Sequence, residues 1–182
     1  MKRILGRLSG ALCLAAVLAA LPAHAALNMF LDIPGVSGES TDPVHTNQMD
    51  VLSWSWGMSN SGSAVGGVGG PGKVSIQDVS FTKYVDKASP LLMLHCANGA
   101  HFTTATLYVL KAGATPNDYI KIILTDVIVT SVSTGGSGGE DRLTENVSLN
   151  FAKVEFDYSV ITNGKASVPN PFKWDIGANA PY

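Results

Sequence analysis

Three of the four histidines, two groups of carboxylates, one of the two thiols and a glycine-rich run ending in lysine are the groups here whose types could do chemistry. The run Gly67-Val68-Gly69-Gly70-Pro71-Gly72-Lys73 fits the spacing of a phosphate-binding loop. Such a loop opens a helix and continues with Ser or Thr to hold magnesium. Here Val74 follows, and Pro71 removes a backbone donor, so a flexible loop is predicted. Past residue 25 the histidines are His45, His95 and His101. A metal site needs three or four converging ligands, and no spacing here brings them together; structural roles are predicted. Glu140-Asp141 with Glu145, and Glu155 with Asp157, are the places to seek an acid–base pair. Glu155 and Asp157 alternate with Val154, Phe156 and Tyr158, which reads as the solvated face of a strand. Cys96 sits in an apolar stretch with nothing basic beside it to lower its pKa, so it is predicted to be a small buried apolar residue. No serine occupies a nucleophile-elbow context, and Asn146-Val147-Ser148 is a glycosylation triplet of low specificity. The residues predict no enzyme, no metal and no cofactor.

The elements that would position these groups lie in one domain. The chain has 182 residues, enough for a single core. It opens with Lys2, Arg3 and Arg7, an apolar run from Leu8 to Leu21, and small residues at Ala23 and Ala25. That is the three-part pattern of a cleaved secretory signal; the run is short for a membrane span. The expected boundaries are 1–25 for the signal and 26–182 for one domain. Removing the three basic residues takes the formal charge from -2 to -5, which gives no reason to expect nucleic acid or anionic lipid as partners. Cys13 lies in the signal, so Cys96 has no partner for an intramolecular disulfide. An exported chain without disulfides depends on core packing or oligomerisation.

The order of elements is β throughout, with one helix. Met29–Ile33 before Pro34-Gly35 is a first strand, and residues 37–48 are a long exposed loop. Leu52, Trp54, Trp56 and Met58 alternate with Val51, Ser53, Ser55 and Gly57, which predicts one strand with its tryptophans on one side. Val74 and Ile76 share one phase and Val79 and Phe81 the other, with a bulge expected near Gln77-Asp78. Ser89 is a predicted N-cap, Pro90 suits the first helical turn, and Gly99 ends a helix over Ser89–Asn98. His101–Leu110 is a strand. Tyr119–Val132 carries Ile120, Ile122, Leu124 and Ile128 on one phase and Ile123, Val127 and Val129 on the other. A strand apolar on both faces needs cover on both, and a neighbouring subunit is the expected cover. Val147, Leu149 and Phe151 shift phase to Val154, Phe156 and Tyr158, predicting a bulge near Lys153. About six strands without βαβ alternation predict a small antiparallel β-barrel of two curved sheets with one short flanking helix.

In this order the chain resembles the haemolysin-coregulated protein (Hcp) family of type VI secretion. Met29–Gly35 followed by Gly38–Asp42 resembles the family's opening strand and first long loop. Val51-Leu52-Ser53-Trp54-Ser55-Trp56-Gly57 resembles its second strand. Gly72–Asp78 through Phe81-Thr82-Lys83-Tyr84 to Pro90 resembles its third strand and the approach to its helix, and Trp174-Asp175-Ile176 its closing segment. The resemblance spans nearly all of residues 26–182. It implies a barrel of two curved sheets, a hexameric ring, stacking of rings into a hollow tube, and effector proteins as passengers. It also implies that Glu39, Ser40, Thr41, Asp42 and His45 lie in the loop used between rings. Ile120, Ile122, Ile123, Val127 and Val129 are the expected subunit-packing residues. The family usually lacks an export signal. Here the signal predicts an exported protein, periplasmic or secreted, with no membrane contact after cleavage; translation from Met29 would instead leave it cytoplasmic before secretion. The alternative function is a monomeric exported barrel acting as a binding or adhesive module.

Overall fold

A computed structural model describes residues 27–62, 72–111, 118–163, 165–168 and 170–182. The signal segment with Ala23 and Ala25 lies outside these residues, as does the glycine-rich run up to Pro71. The strands are β1 (Leu27–Asp32), β2 (Met49–Ser55), β3 (Met58–Asn60), β4 (Val74–Ile76), β5 (Val79–Tyr84), β6 (His101–Lys111), β7 (Asp118–Thr134), β8 (Thr144–Tyr158), β9 (Val160–Thr162), β10 (Lys165–Ser167) and β11 (Phe172–Asp175). Helix α1 spans Ser89–Asn98. Antiparallel pairing runs β8-β5-β2-β1-β6-β7, and β7 returns to β8, closing a six-stranded barrel. β11 continues the sheet along the second half of β8, while β3–β4 and β9–β10 are separate hairpins. The expected class, a small antiparallel barrel with one short helix, is the observed one.

Closure rests on a crease that periodicity alone concealed. Inward residues should recur at every second position of a strand. On β6 the buried positions step from Phe102 to Ala105, on β7 from Leu124 to Val127, and on β8 from Phe151 to Val154. These residues face one another across the ladders, Phe102 and Phe151 opposite Val127, Ala105 and Val154 opposite Leu124. All three strands therefore invert phase at one level. Asp126 makes the inversion on β7 with a φ of 55°, a conformation Asp tolerates better than most residues. The ladder keeps its register past Lys153, and the shift between β7 and β8 falls at Val129/Ser131. The bulge expected near Lys153 is thus an inversion of faces without a register change there.

The inversion corrects the two-faced reading of β7. Ile122 and Leu124 point inward before the crease and Val127 and Val129 after it, all buried; Ile120, Ile123 and Ile128 are half-buried. What reads in sequence as two apolar faces is mostly one inward stripe whose phase changes partway.

Three local expectations also change. The tryptophan stripe is interrupted by a register shift between Val51 and Ser53, which leaves Leu52 exposed, and β2 stops at Ser55. Trp56 instead donates its Nε1 hydrogen to the carbonyl of Gln77 at 3.1 Å. β4 and β5 are separate strands rather than one bulged strand, because β4 pairs with β3 while β5 joins the barrel. The N-cap position is Ala88, not Ser89, and its side chain makes no capping hydrogen bond. The Asp86 carboxylate accepts the Ala88 N–H at 2.9 Å just before it. Gly99 ends the helix as expected, at a φ of 68°. Cys96 is half-buried against the core rather than fully buried.

Candidate assembly surfaces

Two outward surfaces of the barrel have different chemistry. The first is built by β2, β5, the first half of β8 and the end of β7. Pairing aligns Ser53, Thr82, Asn146 and Ser133 in one row across the four strands, and Ser55, Ser80, Ser148 and Ser131 in the next. Every member is an uncharged hydroxyl or amide. Ser80 and Ser148 hydroxyls lie 2.9 Å apart, and the Thr82 hydroxyl donates to Asn146 Oδ1 at 2.6 Å. At the end of the rows Asp78 accepts from Thr130 at 2.6 Å and from Asn150 at 2.8 Å.

The second surface follows the crease. Here β6, the first part of β7, the second half of β8 and β11 carry Thr106, Ile123, Glu155 and Lys173 in one row. Lys173 donates to Glu155 at 2.8 Å and Lys153 to Asp175 at 2.9 Å, strapping β11 to β8. The Ala178 backbone N–H, then Lys153, holds Asp175 below the usual carboxylate range. Asp157, opposite Lys121, is pushed up by burial and then by Glu155, and its Oδ1 is buried without a partner. Ile123 is thus an apolar side chain set among charges. Of the five predicted packing residues, Ile122, Val127 and Val129 are taken up by the chain's own core; only Ile120 and Ile123 retain surface.

Between β1 and β2 the barrel is pinned by only two paired positions, Phe30 with Asp50 and Leu31 with Met49. β1 stays fully paired with β6, and β2 turns to β5, so the strands part. The gap is a groove of about 260 Å³ flanked by Leu27, Met29, Val51 and Leu52. Its walls are strand edges facing away from their ladders, which makes them free to pair with added backbone.

The loop over 37–48 is better ordered than its polar sequence predicts. The Gly38 N–H donates to the Asn47 carbonyl at 2.7 Å and the Ser40 N–H to that of Gln48 at 3.0 Å, zipping its two arms. Gly38 is required, since any Cβ would strike the backbone of Gln48. His45 is only 5% exposed. Its ring stacks on Phe30 at 4.6 Å and tilts against Tyr108 at 4.9 Å, with Gln48 Oε1 2.8 Å from Nδ1. Asp42 Oδ1 accepts the N–H groups of Val44 and His45, and these bonds, that to His45 first, lower its pKa. Glu39 accepts the Lys87 N–H at 3.2 Å, tying the loop to the approach to α1. Ser40 is buried and Thr41 exposed. Val44 at the tip is 81% exposed.

Sequence reasoning missed a buried ionic cluster. Lys83 and Glu145 sit opposite each other on β5 and β8, both at 0% exposure, with Lys83 Nζ 2.9 Å from Glu145 Oε1 and 2.6 Å from Asp86 Oδ1. The Ser89 hydroxyl donates to Glu145 at 2.8 Å and accepts the Asp86 N–H at 3.1 Å. Buried charges survive only when paired, and this group ties the helix start to the barrel. The signal was present: Lys83 shares the phase of Val79 and Phe81, and Glu145 that of Val147 and Leu149.

The other chemical candidates stay apart. His95 stacks on Phe102 at 4.0 Å, and His101 pairs with Asp126 at 2.7 Å on the surface. Glu140 and Asp141 are exposed in the β7–β8 turn. Among the described residues no three His, Cys, Asp or Glu converge as metal ligands would.

Comparison with known proteins agrees with this architecture. The family described as "Type VI secretion system effector, Hcp" matches residues 30–158. The chain is 52% identical over 158 residues to protein hcp1 of Pseudomonas aeruginosa, covering 85% of this chain and 98% of that protein. It superposes on Hcp1 from Salmonella typhimurium at 36% identity and a TM-score of 0.71, covering 86% of this chain and 99% of the other. A type VI secretion effector from Yersinia pestis is similar at 33% identity and a TM-score of 0.66, over 81% and 98% of the two chains. The chain belongs to the Hcp family of type VI secretion tube subunits.

Proposed function

We propose that the mature chain closes into a hexameric ring, that rings stack into a hollow tube, and that the neutral rows of β2, β5, β8 and β7 face the channel. The observation that carries this is the pair of uncharged rows crossing four strands. Short hydroxyl and amide side chains already bonded to one another offer a passing protein neither a charge to bind nor an apolar patch to stick to. A cyclic ring needs two different complementary patches on each subunit. The parted edges at β1 and β2 supply one, and the flank bearing Ile120, Ile123 and the open edge of β11 supplies the other. The zipped loop with Glu39, Ser40, Thr41, Asp42 and His45 holds Val44 forward for contact between rings, so it acts through shape and needs no ordering on contact.

In this reading the protein works by geometry and is not an enzyme; its partners are its own copies and secreted effector proteins. The leader directs export and is cleaved after Ala25, leaving residues 26–182 as one domain, periplasmic or secreted. Size-exclusion chromatography with light scattering on residues 26–182 tests the ring: about six chains per particle is expected. A single-chain mass would return the protein to a monomeric binding module.

A further inference from the structure

One outward row of paired residues runs Asp50, Phe30, Tyr108, Lys121, Asp157 across β2, β1, β6, β7 and β8. Its middle is closed by the chain itself, because His45 stacks on Phe30 and leans on Tyr108. Its two ends are incomplete. At the first, Asp50 lines the β1–β2 groove with the exposed Asn28 beside it. Asp50 makes no ion pair among the described residues. At the second, Lys121 and Asp157 line a cavity of about 270 Å³ with Ser159 and, from the β9–β10 hairpin, Ser167 and Val168. Lys121 Nζ lies 5.9 Å from the centre of the Tyr108 ring. Asp157 Oδ1 is buried with no hydrogen-bond partner among the described residues. A carboxylate short of donors is raised in pKa, and Asp157 is raised, by burial first and by Glu155 next.

The two ends lie on the two surfaces that a ring brings together. The groove opens beside β2, where the neutral rows stop on one side; the cavity lies between β7 and β8, beyond β7 on the other side. Their chemistry is complementary. One end offers a carboxylate and an amide, the other an ammonium and an oxygen that lacks a donor. They cannot meet within one chain, since three strand spacings of about 4.8 Å separate Asp50 from Lys121. We propose that the Lys121–Asp157 cavity is a socket completed by the next copy of this chain, whose Asp50 carboxylate pairs with Lys121 and whose Asn28 amide donates to Asp157. This rests on the ring reading above and names the polar contacts that set its register. Opposite charges brought together across a contact fix which faces meet, and like charges there oppose association.

The test is a charge exchange in residues 26–182, read by native mass spectrometry, with circular dichroism to confirm the fold of each variant. Asp50→Lys and Lys121→Glu each set like charges across the contact, and each is expected to lower the share of chains in rings about tenfold or more. Asp50→Lys combined with Lys121→Glu restores opposite charges in reverse order and is expected to restore rings. Because the two positions are too far apart to pair within a chain, such rescue acts between subunits. Rings at the wild-type level from both single variants would overturn the proposal, as would a folded double variant that stays single. Single chains from the unaltered protein would instead remove the ring reading itself. Asn28→Ala supplies a gentler readout. It is expected to raise the concentration at which half the chains are in rings about tenfold, with the urea midpoint of the single chain unchanged because Asn28 is exposed. Unchanged assembly in this variant would overturn the contact between Asn28 and Asp157.

Discussion

The two halves of β8 carry opposite arrangements of charge, and the contrast shows where this barrel uses ion pairs and where it does without them. From Thr144 to Phe151 the charge is inside: Glu145 meets Lys83 in the core, while Asn146, Ser148 and Asn150 face outward without charge. From Ala152 to Tyr158 the charge is outside: Lys153, Glu155 and Asp157 lie on the surface side, with Val154 buried beneath them. The crease at Ala152-Lys153 separates the two arrangements. The outward rows proposed to line the channel are neutral, and the ionic groups sit where they bind helix to barrel or strand to strand.

The contrast breaks most sharply at Lys83. Lys83→Ala leaves Glu145 and Asp86 buried without their cation, and a loss of about 3–5 kcal/mol is expected from urea unfolding. Next comes Ile123 beside the second half. Ile123→Lys puts a charge in the proposed subunit contact, and a loss of about 2 kcal/mol or more in assembly should appear as a fall from ring to single-chain mass with the monomer still folded. The exposed strap is weaker: Lys173→Ala should cost less than about 1 kcal/mol, and the loss should shrink in high salt. Ser148→Glu, on the neutral side, should change stability within about 0.5 kcal/mol yet reduce effector passage in a secretion assay, because every subunit then adds a charge to the channel wall. Asp157→Asn sharpens the second half by pH. The folded pKa of Asp157 is raised by burial and Glu155, so its contribution is greatest below the unfolded carboxylate range and is lost as pH rises through the folded value. The Asn variant should therefore be slightly more stable at neutral pH and should show no such pH step.

Much of this was legible because the barrel's inward residues alternate over short runs. The end signals of the helix were equally plain, Pro90 in its first turn and Gly99 after its last residue. What escaped depends on partners distant in the chain. Ser89 looks like a cap until Glu145, 56 residues away, takes its hydroxyl. The stripe through Leu52, Trp54, Trp56 and Met58 looks continuous because a register shift is defined by β5 as much as by β2. Ile128 shares a parity with Ile122, but a positive φ at Asp126 changes which side that parity means. The loop over 37–48 looks exposed because its one buried ring, His45, finds Phe30 and Tyr108 on strands far from it in sequence.

Every surface assignment depends on the mature chain living among copies of itself. Native mass spectrometry of residues 26–182 at physiological salt tests this most directly. The expected result is a dominant particle of about six chains that Ile123→Lys dissolves into folded monomers. A folded single chain at every concentration tried would contradict it.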